Sequence, residues 1–213
     1  MISIPRTAEP QYLASRKIRW LLELRSARKN RDTLRFKKLQ GRYANEKIKV
    51  ALSEMCHSKC AYCESVIEAV ATPQIEHFRP KQRYVSLTYA WTNLLLCCPK
   101  CNDPAHKGIK FPKPREGGLL IDPSLENPEA HMDFIYDPIS KIAFVRPLDA
   151  RGQTTVDIFG LNARPALLKA RSELLRRLLA LKSLDGIDAE VTEVLAEARQ
   201  SRAPYLSWIK KYI

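Results

Sequence analysis

Cys60-Ala61-Tyr62-Cys63 and Cys98-Pro99-Lys100-Cys101 are two C-x-x-C knuckles with 34 residues between them. Each knuckle offers two thiolates from one tight turn, and a tetrahedral zinc ion takes four such soft ligands. The gap is longer than in a simple zinc ribbon, so a further structure is expected inside the frame. Four cysteines leave no open coordination position for water, which makes the expected zinc structural rather than catalytic. Cys56 and Cys97 are left over and read as small buried apolar residues. Cys97 competes with Cys98 as a ligand, but only Cys98 has the two-residue spacing to Cys101. A redox role for either pair lacks the strand-to-helix context that such chemistry uses. A reducing compartment also favours ligation over disulfides for six cysteines clustered in this way.

Within and just beyond the frame lie Glu76-His77, Asn93, Asn102 and His106. Phosphodiester hydrolysis needs an activated water, neutralisation of developing charge, and help for the leaving oxygen. A histidine can take the water's proton near neutral pH. One hard divalent ion, Mg2+ or Mn2+, held by a carboxylate and an amide oxygen, can meet the other two needs. Glu76 and Asn102 are of the right type for that ion. Arg79, Lys81, Lys107 and Lys110 are candidates for holding nucleic-acid phosphates, against the plainer reading of a solvated basic surface.

The rest of the chain is read outward from this centre. Residues 10–40 form an expected helical run with Ile18, Leu21 and Leu22 on one side, ended by Gly41. A second helix, 43–55, carries Ile48, Ala51, Leu52 and Met55 at helical spacing. Residues 117–160 read as irregular structure, with a hairpin pairing Met132–Tyr136 and Ile142–Val145 across Asp137-Pro138-Ile139-Ser140. From 163 the chain is helical again, with one stripe from Leu167 to Leu181 and another from Ile187 to Ala198, separated by Asp185-Gly186. The expected class is therefore α+β and mainly helical. Its divisions are a basic helical segment 1–55, a zinc-framed core 56–116, an irregular segment 117–162 and a helical segment 163–213, all in one compact domain. Of the last, 163–183 is expected to pack on the core and 187–213 to face a partner.

The net charge of +13 is an N-terminal property. Residues 1–59 hold 15 Lys/Arg against 5 Asp/Glu, while residues 121–213 hold 13 of each. Such an excess favours a polyanion through release of its counterions. No apolar run nears the roughly 20 residues that span a bilayer, and Met1-Ile2-Ser3-Ile4-Pro5-Arg6 has no secretion-signal pattern. A cytoplasmic protein without membrane association is expected.

Glu76-His77-Phe78-Arg79-Pro80-Lys81, then Trp91-Thr92-Asn93-Leu94-Leu95-Leu96, then Cys98-Pro99-Lys100-Cys101-Asn102 with Lys107-Gly108 and Phe111-Pro112, resembles the cysteine-framed HNH endonucleases. More narrowly, it is similar to the HNH proteins of Septu-type and retron-associated antiviral systems, the PtuB-like group. Leu119-Leu120-Ile121-Asp122-Pro123-Ser124, Asn127-Pro128-Glu129, and Gly160-Leu161-Asn162 leading to Arg164 extend that likeness, which covers residues 45–175. The resemblance implies a central ββα-metal core flanked by N- and C-terminal helices. It implies His77 as general base at the end of the first strand, Asn93 as the residue that fixes the loop, and Glu76 with Asn102 as ligands of the catalytic metal. The last position is often His in the family; Asn there suits a hard ion, and His106 is an alternate ligand. The resemblance also implies a partner ATPase of the SMC/ABC-like kind, with retron components as a further association. The chain has no phosphate-gripping Gly-rich loop of its own. DNA is the preferred substrate in this reading. The alternatives are a zinc-stabilised nucleic-acid-binding module without catalysis, and an adaptor built on an inactive core.

Overall fold

The computed structural model describes residues 1–68, 71–116, 118–184 and 188–213. Asp185, Gly186 and Ile187, expected to separate two helices and to begin the second stripe, lie outside the described residues.

The N-terminal run is three helices rather than one: α1 (Gln11–Ala14), α2 (Lys17–Lys29) and α3 (Thr33–Gln40). The break after α2 comes from Asn30-Arg31-Asp32. Arg31 turns the chain at φ 56°, and the Asp32 carboxylate then accepts from Arg35 N at 3.0 Å as an N-cap. The expected apolar face also changes. Ile18 and Leu22 are exposed, and α2 buries Trp20, Leu24 and Ala27 instead. Those three share a face by i, i+4, i+7 spacing, and Trp20 decides which face turns inward. Its ring packs edge-on against Tyr12 and Tyr89, with centroids 5.9 and 5.4 Å away. α4 (Glu46–Cys56) starts at Asn45, whose side chain caps Lys47 N, and buries Ile48, Leu52, Met55 and Cys56. It stops at the left-handed residue His57.

The chain then enters the cysteine-framed region. β1 (Gln74–His77) pairs antiparallel with β2 (Leu94–Cys97), in the register Gln74↔Cys97, Ile75↔Leu96, Glu76↔Leu95 and His77↔Leu94. Every residue of β2 is buried. The short helix α5 (Pro99–Asn102) follows directly, with Pro99 in its first turn, where a missing N–H costs nothing. The two strands and α5 form the ββα unit.

The second sheet is the expected hairpin, slightly longer, made of β3 (Met132–Asp137) and β4 (Ile142–Pro147). The segment called irregular also holds a helix, α6 (Ala150–Phe159), capped by the Asp149 carboxylate on Gly152 N at 2.7 Å. A Cβ on Gly152 would lie 2.0 Å from His131 O, so only glycine allows α6 to sit this close to β3. Gly152, Thr154, Thr155 and Val156 are weak helix formers, and burial of Val156 and Phe159 outweighs that propensity.

α7 (Pro165–Lys182), α8 (Ala189–Ala198) and α9 (Leu206–Tyr212) complete the chain. The expectation that 187–213 faces a partner is overturned for α9. Leu206, Ser207, Trp208 and Ile209 are buried, Trp208 Nε1 donates to Ile135 O at 3.0 Å, and the Arg171 guanidinium lies 4.3 Å from the Trp208 ring. The apolar residues after Pro204 finish the core over β3. α8 contributes one buried residue, Leu195, and carries its acidic side chains outward. Among the described residues, no helix is long and apolar enough to cross a membrane.

Candidate active site and metal centre

The four knuckle thiols come together. The Sγ atoms of Cys60, Cys63, Cys98 and Cys101 lie within 4.8 Å of one another, with Cys63 and Cys98 3.9 Å apart. Tetrahedral zinc with bonds of about 2.3 Å separates its sulfurs by about 3.8 Å, so these four could close on one ion with little adjustment. The backbone holds the frame in place from both sides. Ala61 N donates to Leu96 O at 3.0 Å, tying the first knuckle to β2, and Cys101 N donates to Cys98 Sγ at 3.4 Å. Cys97 Sγ also lies 4.0 Å from Cys60 Sγ. It stands outside the group of four by geometry, with its Sγ turned to Cys98 O at 3.4 Å. Burial pushes its thiol well above the usual range; those of Cys98 and Cys101 are raised too, by the neighbouring sulfurs first and burial second. Burial likewise raises Cys56, to about 11.

Arg164, read from sequence only as part of a flanking motif, has a specific place here. Its Nη1 sits 3.4 Å from Cys101 Sγ. Four thiolates around Zn2+ carry a net charge of −2, and a guanidinium against them offsets part of it. Nothing in its local sequence signals this, because the contact spans 63 residues.

His77 ends β1 and is buried, with Nε2 2.9 Å from Thr88 O and the Tyr43 ring edge-on at 4.4 Å. A carbonyl only accepts, so the network assigns the proton to Nε2 and leaves the lone pair on Nδ1. Burial lowers the His77 pKa to about 4, the Thr88 carbonyl opposes this, and the Lys81 and Lys107 charges add to it. The ring is therefore neutral at physiological pH.

Asn93 is buried in the turn before β2 and uses its whole amide. Oδ1 accepts from Arg79 N at 2.8 Å, and Nδ2 donates to Arg79 O at 3.0 Å and Leu87 O at 3.3 Å. It pins both ends of the loop that follows His77. Asn102 closes α5, and its Nδ2 donates to Gln74 Oε1 at 2.7 Å, bringing α5 against β1. Gln74 and Glu76 are two residues apart on one strand and so share a face. His106 packs against Gly160, where a Cβ would come 3.0 Å from its ring.

The four cations expected on the surface divide. Arg79 lies over the Tyr84 and Phe111 rings at 5.7 and 5.2 Å, and Lys81 Nζ meets Tyr43 OH at 2.7 Å, both half-buried at the site's edge. Lys110 is exposed, with Nζ 2.7 Å from Ala105 O. Lys107 is a correction. It is fully buried, its Nζ 2.5 Å from Glu76 Oε1 and 3.1 Å from His77 O, and cannot reach a phosphate on the surface. Its charge is spent on Glu76, itself buried. Burial still raises the Glu76 carboxyl, with Lys107 offsetting part of the rise.

Lys107→Met should therefore destabilise the protein by about 3–5 kcal/mol at neutral pH, because it strands a buried carboxylate. Without the ammonium, Glu76 holds its proton more tightly in the folded state than in the unfolded one. Stability is then gained at low pH and lost as pH rises through the folded value, so the deficit should shrink under acid. Urea denaturation checks this, and adding Glu76→Gln should recover much of the loss. Equal stability of Lys107→Met and the native chain at neutral pH would show the pair to be immaterial.

An HNH endonuclease family model matches residues 60–108, the stretch from the first knuckle to the residue after Lys107. The chain carries an HNH endonuclease domain and is similar to Septu PtuB proteins. It is 29% identical to Septu protein PtuB of Bacillus mycoides over 88% of its own length and 72% of that protein's. It is 32% identical to Septu protein PtuB of Bacillus thuringiensis over 66% of its length and 49% of that protein's. No solved structure matches. The HNH domain is a hydrolase of phosphodiester bonds, and it coincides with the ββα unit and the thiol tetrad.

Proposed function

We propose that this chain is the metal-dependent nuclease of an antiviral defence system, cleaving DNA under the control of a separate ATPase. The observation that carries the chemistry is the state of His77. Its proton is held on Nε2 by Thr88 O, leaving Nδ1 free to accept, while Gln74 and Glu76 lie on the other face of the same strand, where Asn102 meets Gln74. In this reading His77 is the general base that takes a proton from the attacking water. Asn93 is a positioning residue, keeping the loop after His77 closed.

The donors that β1 and α5 supply, from Gln74, Glu76 and Asn102, are a carboxylate and two amide oxygens, which suit a hard divalent ion and not a soft one. Glu76 and Asn102 would hold Mg2+ or Mn2+, and the knuckles would hold Zn2+. When bound, the hard ion supplies charge neutralisation at the scissile phosphate and at the leaving oxygen. Arg79, Lys81 and Lys110 would grip neighbouring phosphates. Lys107 keeps Glu76 in place and balances its charge before any substrate arrives.

The defence role rests on the likeness to Septu PtuB proteins. The chain has no Gly-rich phosphate loop, so nucleotide hydrolysis, if it controls cleavage, belongs to another chain, expected to be SMC/ABC-like. The test incubates plasmid DNA and single-stranded RNA with the protein, alone and with an ATPase encoded beside it. Strand breaks in DNA with Mg2+ or Mn2+, abolished by EDTA, are expected. No breaks in either polymer under any of these conditions would leave a non-catalytic binding module as the better reading.

A further inference from the structure

A cleft of about 600 Å3 lies between α2 and the loop that joins β1 to β2. Arg25, Arg28 and Lys29 line one wall, and Arg83, Tyr84 and Ser86 line the other. The lining contains four cations and no carboxylate. Arg25, Arg28 and Lys29 are exposed, and the described ion pairs of the N-terminal helices use Lys17, Arg19, Arg42 and Lys49 instead. Like charges facing across a cleft repel one another, and an anion between them removes that cost.

The cleft is built, not incidental. Trp20 of α2 packs against Tyr89 of the loop that joins β1 to β2, tying the helix to that loop. Arg83 Nη2 donates to Ile109 O and Phe111 O at 3.2 and 3.0 Å, which holds its guanidinium in place. One contact links the cleft to the loop that follows His77. Arg79, two residues beyond His77, lies over the ring of Tyr84, which lines the cleft. The N-terminal charge excess is thus aimed at the catalytic loop, although α2 and His77 are far apart in sequence.

We propose that this cleft is a phosphate track that carries the nucleic-acid backbone away from the scissile bond, with Arg25, Arg28 and Lys29 each contacting a backbone phosphate. The proposal rests on reading the chain as a nuclease, but it is tested by binding alone. Arg31 is absent from this cleft and lines the neighbouring groove with Asp32, Thr33 and Phe36, a groove that shares Arg28 with the track.

The experiment measures binding of a long DNA duplex by fluorescence anisotropy in EDTA, between about 50 and 200 mM salt. The variant Arg25→Gln/Arg28→Gln/Lys29→Gln removes three cations without adding bulk. Each lost phosphate contact lowers the slope of log affinity against log salt by about 0.9, so a drop approaching 3 is expected. A control variant, Lys169→Gln/Arg176→Gln/Arg177→Gln on α7, changes net charge equally and should leave most of the slope. An unchanged slope in the first variant overturns the track, and so does an equal drop in the control. Loss of co-purification with the partner ATPase, at unchanged DNA affinity, would also overturn it and assign the cleft to an acidic protein surface. If the native chain cleaves nothing yet shows the expected slope change, the track stands and the nuclease reading fails.

Discussion

Replacing His77 with Ala is expected to lower the cleavage rate by about 10²–10⁴-fold, the usual cost of losing a general base. The ring is buried and its Nε2 partner is the Thr88 carbonyl, so the variant also leaves a small cavity and an unpaired acceptor. Some loss of stability should accompany the loss of rate. His77→Gln separates the two, because it fills more of the space and can still donate to Thr88 O. Both variants should be equally inactive, with metal content unchanged and with Gln closer to the native melting temperature. Cleavage at the native rate by the folded Ala variant would remove His77 from the mechanism.

The same residue sets a pH dependence. Its folded pKa, about 4, lies below the value of about 6.5 expected in an unfolded chain. The neutral ring is what the fold accommodates, so its contribution to stability is present above pH 6.5 and is lost as pH falls towards 4. The shift corresponds to about 3 kcal/mol over that window. Comparing the stability of the native chain and His77→Gln between pH 7 and 4 isolates it. The two curves should converge as the pH falls.

The elements legible in the sequence share one property: their partners are close along the chain or announced by residue type. The C-x-x-C spacing names both ends of the thiol tetrad, and alternation between Met132 and Val145 names a hairpin. Lys107 is the opposite case. Lysine is rarely buried, and four cations around an HNH motif read as a phosphate-binding surface. Only the pairing of β1 with β2, which brings Glu76 to the loop after α5, gives Lys107 a reason to be inside. The buried face of α2 differs from the expected one for a related reason. Ile18 and Leu22 are good apolar residues at helical spacing, but Trp20 finds Tyr89, 69 positions on, and turns the helix. α9 turns inward on an acceptor, Ile135 O, that belongs to a backbone edge the sequence does not display. Arg164 against Cys101 is likewise invisible until α7 is placed.

Replacing Cys63 or Cys98 with Ser should unfold the core rather than slow the enzyme. A structural zinc site contributes on the order of 10 kcal/mol to folding, which matches the whole stability of a typical domain, about 5–15 kcal/mol. The location makes the coupling severe. The first knuckle is tied to β2 through Ala61 N and Leu96 O, and Cys98 caps α5 through Cys101 N. β2 is the strand that pairs with His77 and Glu76, and α5 carries Asn102, so losing the tetrad releases every candidate catalytic residue together. Without a bound cation the buried thiolates are left with the Arg164 guanidinium against Cys101 to balance their charge. The native chain should hold one zinc per molecule by elemental analysis. Either serine variant should lose it, along with the cooperative thermal transition and the near-ultraviolet signal of the buried tryptophans. Cys97→Ser is the control, since Cys97 stands 4.0 Å from Cys60 outside the tetrad and should keep the zinc. A native chain that is folded and free of metal would show that thiol packing alone closes the frame. Loss of zinc from Cys97→Ser but not from Cys98→Ser would move the fourth ligand by one residue.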